Sequence, residues 1–294
     1  MNQRVKLGLA ALAVALVFGG RSVRAEEMRE GGKLLLTHGV SNIEGAAGGG
    51  LATWAVIAGD ETRDGVGGET HLSYVGLPDY HLTDYGAAIG LYDRLELSYA
   101  RQAFGTGDTG AKLGLGQGFT FHQDVYGAKL RLIGDAVYGQ DTLLPQLAVG
   151  VQYKHNDRGP IVAAVGGKDH NGTDLYVAAT KVLLDQSLVL DATLRITKAN
   201  QTGLLGFGGD RKNAYSPEFE GSIGYLLSRR LVVGAEYRSK PDNLGFARER
   251  DWFDVFGAYA INKSLSVTAA YVDTGSIATF RNQRGVYLSL QAGF

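Results

Sequence analysis

The sequence predicts an all-β chain, a transmembrane antiparallel up-and-down β-barrel. Three observations predict it. A period of two dominates from about residue 33 to the C-terminus, tight turns alternate with long glycine-rich connections, and the last apolar strand ends on a phenylalanine. Alternation along a strand gives one apolar and one polar face. Short turns at one end and long loops at the other are what the two ends of a membrane barrel require. Composition narrows the field further. The 294 residues include 43 glycines, 15 tyrosines and no cysteine, and the 20% that are charged balance to a net charge of -1. That balance lacks the basic excess of a nucleic-acid binder. Without cysteine the chain has no disulfide, no Cys-ligated zinc, no thiolate nucleophile and no lipidated cysteine.

The N-terminus reads as an address. Arg4 and Lys6 precede an apolar stretch from Leu7 to Phe18, and the segment closes on Val23-Arg24-Ala25. The stretch is too short for a membrane helix, which needs about 20 apolar residues. Compact residues at -3 and -1 suit signal peptidase, so residues 1–25 are expected to be a signal peptide cleaved between Ala25 and Glu26. Residues 26–294 then form the barrel, in the outer membrane of a Gram-negative bacterium. Its expected partners are outer-membrane lipid and lipopolysaccharide, together with the export and barrel-insertion machinery.

Strands are expected near 33–38, 50–58, 68–77, 83–90, 94–103, 121–133, 145–154, 173–182, 187–197, 217–226, 230–239, 251–260, 264–272 and 284–294. That makes fourteen, an even number, as bacterial barrels usually have. Gly45–Leu51 is nearly all glycine and alanine. If that segment tucks into the lumen as a plug, the first two strands leave the wall and twelve remain.

The alternation can be followed strand by strand. Tyr126, Ala128, Leu130 and Leu132 oppose Lys129 and Arg131; Leu147, Val149, Val151 and Tyr153 oppose Gln146, Gln152 and Lys154. Leu188, Leu190, Ala192, Leu194 and Ile196 oppose Asp191, Thr193, Arg195 and Thr197. Leu231, Val233, Ala235 and Tyr237 oppose Gly234, Glu236 and Arg238, and Leu265, Val267, Ala269 and Tyr271 oppose Ser266, Thr268 and Ala270. Tight turns fall near Leu91–Arg94, Leu184–Ser187, Leu227–Arg230 and Ile261–Ser264, with long loops at 104–120, 155–172, 198–216, 240–249 and 273–283 between them. Tyr225 and Tyr259 sit just before short turns, whereas Tyr99, Tyr153, Tyr237 and Tyr271 sit near the far strand ends. Two such bands resemble interfacial girdles, where an amphipathic ring is comfortable. Val286, Leu288, Leu290 and Ala292 alternate up to Phe294, which resembles the C-terminal insertion signal of outer-membrane proteins.

In barrel topology the polar faces point inward. They place Glu96, Lys129, Arg131, Lys154, Asp174, Asp191, Arg195, Glu218, Glu220, Glu236, Arg238 and Asp254 in the lumen. Such groups either interlock as ion pairs, since a buried charge is costly unless paired, or line water and set a pore's selectivity. The loop carrying Leu204, Leu205 and Phe207 is apolar for an outer tip. It reads as a fold-in constriction, as an access point for hydrophobic solutes, or as a tip leaning into lipid headgroups.

No dinucleotide, phosphate-loop or nucleophile-elbow pattern occurs, and no pair among the six histidines has zinc-ligand spacing, so neither cofactor nor metal is expected. His155 with Asp157, and His170 with Asp169, share one outer loop, where a carboxylate orienting an imidazole would make a rim hydrolase conceivable.

The segments Gly45-Ala46-Ala47-Gly48-Gly49-Gly50, Leu97-Ser98-Tyr99-Ala100-Arg101-Gln102, Leu204-Leu205-Gly206-Phe207-Gly208-Gly209-Asp210, Tyr237-Arg238-Ser239-Lys240-Pro241-Asp242-Asn243-Leu244-Gly245 and Leu288-Ser289-Leu290-Gln291-Ala292-Gly293-Phe294 carry a likeness. Through them the chain resembles, over about residues 31–294, an exported proteobacterial family of unknown function whose members are taken to be outer-membrane β-barrels. The resemblance implies the fold and implies no activity, substrate or catalytic residue. The leading expectation is a narrow channel for passive diffusion of small solutes. The alternatives are a closed structural or surface-interaction barrel, favoured if paired charges or residues 31–50 fill the lumen, and a rim hydrolase using His155 or His170.

Overall fold

The computed structural model describes residues 33–37 and 39–294. The expected signal peptide, its expected cleavage site and His38 lie outside the described residues. Twelve strands close into one antiparallel barrel. They are β1 (Val66–Gly76), β2 (His81–Leu91), β3 (Leu95–Gly105), β4 (Thr120–Ile133), β5 (Gln146–Asn156), β6 (Asn171–Leu183), β7 (Leu188–Thr197), β8 (Ser216–Ser228), β9 (Leu231–Arg238), β10 (Trp252–Ala260), β11 (Leu265–Asp273) and β12 (Arg284–Gly293). Each pairs with its sequence neighbours, and β12 closes on β1 with Leu290 opposite Leu72. Closure leaves no free edge, so every wall strand has its ladder satisfied on both sides.

The barrel is inverted relative to a water-soluble one. Along β7, Leu190, Leu194 and Ile196 are exposed while Asp191, Thr193, Arg195 and Thr197 are buried. The same holds around the whole wall, from Leu72 and Tyr74 on β1 through Leu175 and Val177 on β6 to Val286, Leu288 and Leu290 on β12. A continuous apolar belt of that extent is far beyond the few hundred Å² that soluble monomers expose, and it is the belt that lipid covers. Tyr153, Tyr237 and Tyr271 are exposed toward the long-loop ends of their strands, and Tyr225 and Tyr259 toward the short-turn ends. Tyr74, Phe219 and Phe253 lie toward the long-loop ends as well. Tyr99 is only half-buried and donates its hydroxyl to Asp124 at 2.8 Å. Phe294 ties the chain end to β1, its amide donating to the Gly68 carbonyl at 2.9 Å and its own carbonyl accepting from the Gly68 amide at 3.0 Å.

The structure corrects the sequence reading at the N-terminus. No described residue of the first two expected strands, 33–38 and 50–58, joins the wall, and the barrel has the twelve strands of the alternative reading, with its N-terminal plug, rather than fourteen. The wall closes without them, so a further strand would have no edge to join. Instead, every residue from 39 to 59 is buried. Two residues at Val40–Ser41 and two at Ala47–Gly48 pair as a minimal ribbon. Residues 134–145, between β4 and β5, form a longer connection on the short-turn side, and their Ala136 and Val137 pack with Trp54, Val56 and Ala58. At the opposite end Ile43 and Leu51 belong to a cluster with Phe104, Phe121, Leu204 and Trp252. The N-terminal segment is therefore a plug reaching from one half of the lumen into the other.

Candidate functional site: the plugged lumen

An irregular segment inside a closed barrel faces a hydrogen-bonding problem. The wall has spent its own backbone groups on its ladders, and a buried N–H or C=O without a partner costs free energy. The inward-facing side chains supply the partners. Glu96 accepts from the amides of Ala47 (3.2 Å) and Ala58 (2.9 Å), Glu236 from that of Leu51 (2.7 Å) and Glu220 from that of Thr53 (2.9 Å). The plug's carbonyls are met by Lys129 at Val56 (2.7 Å), Gln146 at Ala55 (2.8 Å) and Thr193 at Thr53 (2.6 Å). The wall's polar face thus reads the plug's backbone. Close approach explains the glycines: a Cβ on Gly49 would lie 1.6 Å from Glu236 Oε1.

Charges interlock at the centre. Glu44 of the plug pairs with Lys154, with Arg238, whose Nη2 donates to both carboxylate oxygens at 3.0 Å, and with Arg195 at 3.6 Å. Arg195 also meets Glu220, and Lys154 meets Asp174 at 2.7 Å. Three acids and three bases balance, as burial requires. A second pair, Glu96–Lys129 at 2.8 Å, holds the plug nearer the short turns.

Eleven of the twelve residues read as luminal are buried; Glu218 is half-buried and bonds Ser239 at 2.6 Å, apart from the network. Arg131 pairs with Asp93 and with Asp135 (3.2 Å) rather than with the plug. Asp191 accepts from Thr180 at 2.6 Å. Asp254 lies opposite Glu236 across β9 and β10, and its Oδ1 has no hydrogen-bond partner.

Sequence reasoning missed Glu44, the hub of the network, and Glu61. The only signal for Glu44 is that it abuts a glycine-alanine segment, Gly45–Leu51, too poor in side chains to form a strand, and Glu61, ten residues beyond it, carries none. Glu61 closes the short-turn end of the plug, where Lys33 donates to it at 2.9 Å and to the Ile57 and Gly59 carbonyls. Burial pushes the Glu61 carboxyl up to about 8 from 4.5, against the opposing pull of the Lys33 ammonium. Between those values the folded chain holds a proton that the unfolded chain has lost. Its contribution to stability is therefore full below about pH 4.5 and is lost as pH rises toward about 8. Amide exchange at 57–61, corrected for intrinsic rate, is expected to speed up across that window, and Glu61→Gln to flatten the profile. A flat profile in the native chain would contradict this.

The apolar outer loop folds inward. Leu204, Leu205 and Phe207 are buried, and the Phe207 ring lies against Gly172. The carbonyl of Leu204 accepts from Asn156 at 2.8 Å, and that of Thr202 accepts from Lys154 at 3.2 Å. Below the loop, an apolar chamber of about 50 Å³ lies between Ile43 and Leu51 of the plug and Phe104, Phe121, Leu204 and Trp252. The rim histidines do not pair as the sequence spacing invites. Asp157 turns to His122 at 3.1 Å, Asp169 to Lys198 at 3.1 Å, and His155 faces Asn171. Among the described residues no group of three or more His, Asp or Glu is placed to hold a metal ion.

Residues 37–291 match the model of a family described as "Protein of unknown function (DUF3034)". No curated protein matches the sequence. Among solved structures, the KdgM porin is similar over 77% of this chain and 99% of its own, with 11% identity and a TM-score of 0.50. The NanC porin is similar over 77% of this chain and 98% of its own (9% identity, TM-score 0.48). Outer membrane phospholipase A from Escherichia coli is similar over 76% and 91% (10% identity, TM-score 0.43). The likeness to KdgM is one of fold: a closed antiparallel outer-membrane barrel.

Proposed function

The chain belongs to the DUF3034 family, and on that premise we propose that it is a narrow outer-membrane channel for small solutes, held closed in this conformation by its N-terminal plug. One observation carries the reading. The plug is no part of the wall's ladders and is held by side-chain hydrogen bonds, ion pairs and apolar packing, so it can shift without opening the barrel. A wall whose inner face stays polar without the plug is a wall that can line water. In this reading residues 1–25 direct export and leave after Ala25. Phe294 then presents the chain to the insertion machinery, and lipopolysaccharide surrounds the outer rim.

A second reading, a closed barrel serving structure or surface contact, is favoured by the balanced charges that fill the lumen. Planar-bilayer recording separates the two. The channel reading expects rare conductance steps from the native chain and frequent ones once the plug's central anchor is weakened by Glu44→Gln. A folded barrel that stays silent in both forms, with the plug of the variant shown by proteolysis to be released, sinks the channel and leaves the closed barrel. The rim-hydrolase reading draws no support from the geometry at His155, whose ring nitrogen meets an amide oxygen and not a carboxylate.

A further inference from the structure

We propose that Arg248, Arg250 and Arg281, with the apolar chamber beneath them, form a binding site for a short-chain amphiphilic anion, its acidic head at the arginines and its chain in the chamber. A cleft of about 350 Å³ opens between the loop 239–251 and the loop 274–283, lined by these three arginines with Glu249 and Ser276. None of the three guanidinium groups has an ion-pair partner among the described residues. The one carboxylate in the cleft, Glu249, is already taken by Lys240 at 3.0 Å and by the Gln201 amide at 3.2 Å. Unspent positive charge converging on a cleft at the outer rim selects an anion, and guanidinium groups grip carboxylate or phosphate through paired hydrogen bonds.

Cleft and chamber are one residue apart. Ser276 lines the cleft and Ile277 lines the chamber. The partition between them is Gln201, whose side-chain amide donates to the Ser276 carbonyl at 2.9 Å and accepts from Lys240 at 3.0 Å. Gln201 and Thr202 hold φ of 45° and 58°, a left-handed backbone that non-glycine residues adopt only where surroundings impose it. Such a strained, hydrogen-bonded partition is a place that opens when a ligand supplies competing contacts. Below it the lining is almost wholly apolar, which suits a chain of a few carbons. The polar residues that reach it besides Gln201 are Thr274 and Asp254, the latter buried beside Gly50 with one oxygen unpartnered. No lysine or arginine among the described residues lines the chamber to hold an anionic head there, so the ligand sits head outward. As a statement about the solute, this rests on the channel reading.

The test uses the full chain, folded in detergent, and binding rather than conduction. Pentanoate, 1-pentanol and pentylammonium are titrated by calorimetry. Trp252 emission in a Trp54→Phe variant reports whether the chain reaches the chamber. Pentanoate is expected to bind at least about tenfold more tightly than the other two and to shift Trp252 emission. The double variant Arg248→Gln/Arg281→Gln is expected to lose at least about tenfold for pentanoate and nothing for pentanol. Equal affinity for the three probes, or pentanoate binding indifferent to the arginines, overturns the proposal. So does inorganic phosphate displacing pentanoate without altering Trp252 emission, which would leave a phosphate-head site alone. Binding retained in a barrel that never conducts would sink the channel reading and keep this site; conduction without binding would do the reverse.

Discussion

Replacing Glu44 by glutamine is expected to weaken the plug's hold on the wall by about 3–5 kcal/mol, the cost of breaking a buried pair by removing one partner. Glutamine keeps the shape, so packing is nearly unchanged and the effect is electrostatic. With Glu44 neutral, the charges of Lys154, Arg195 and Arg238 face only Glu220 and Asp174, and Arg238 loses both of its 3.0 Å contacts to a carboxylate. An uncompensated buried cation draws in water, and the plug is the only element of the network that can move aside to admit it. The network's wall members sit on β5, β6, β7, β8 and β9, which remain paired to their neighbours whatever the plug does. Proteolysis and amide exchange across 39–61 should therefore speed up by roughly two to three and a half orders of magnitude, taking about 1.4 kcal/mol per tenfold. The heat-dependent gel shift of the barrel should persist. If plug protection is unaltered, Glu44 is not the anchor. If the barrel itself unfolds, the plug is not the separable element described here.

That separation also shows what could be read from the sequence. The wall was legible because a period of two sorts each strand into a lipid face and an inner face, and the inner charges of β4 to β9 follow from counting alone. The two misassigned segments, 33–38 and 50–58, carry short apolar runs like the strands, and nothing local tells a strand with an edge to join from one without. Only global closure between β12 and β1 decides it. Composition at Gly45–Leu51 pointed the right way, since a chain stripped of side chains suits contact with long polar groups better than a place in a wall. Partner choice was out of reach. Glu44 finds Arg238 across 194 positions, and the 134–145 connection packs on Trp54. Both contacts exist only once the barrel has closed around the plug. The histidines mislead for the same reason: a spacing of two would keep His155 and Asp157 on one face of a strand, but β5 ends at Asn156 and Asp157, just beyond it, turns to His122 on the neighbouring β4 instead.

The inward fold of the outer loop yields the other large effect. Phe207→Ala removes a fully buried ring and is expected to cost the loop 198–215 about 3–5 kcal/mol, as large-to-small changes of a buried phenylalanine do. The wall should hold while amide exchange at 199–208 rises, because the ring packs on Gly172 and Gly203 and not on the lipid side. The same contact can be attacked from the opposite side. A methyl on Gly172 would lie 2.0 Å from the Phe207 ring, so Gly172→Ala alone should also expel the loop. Together the two changes should not add. With the ring gone, the new methyl enters space that the ring has left and restores part of the lost packing. The double variant should therefore be less unstable than the sum of the single ones by 0.5 kcal/mol or more, about the range found for residues in direct contact. Strict additivity would mean that Phe207 is buried by the loop's own fold and not by β6, and that the loop covers the plug without being fastened to the wall.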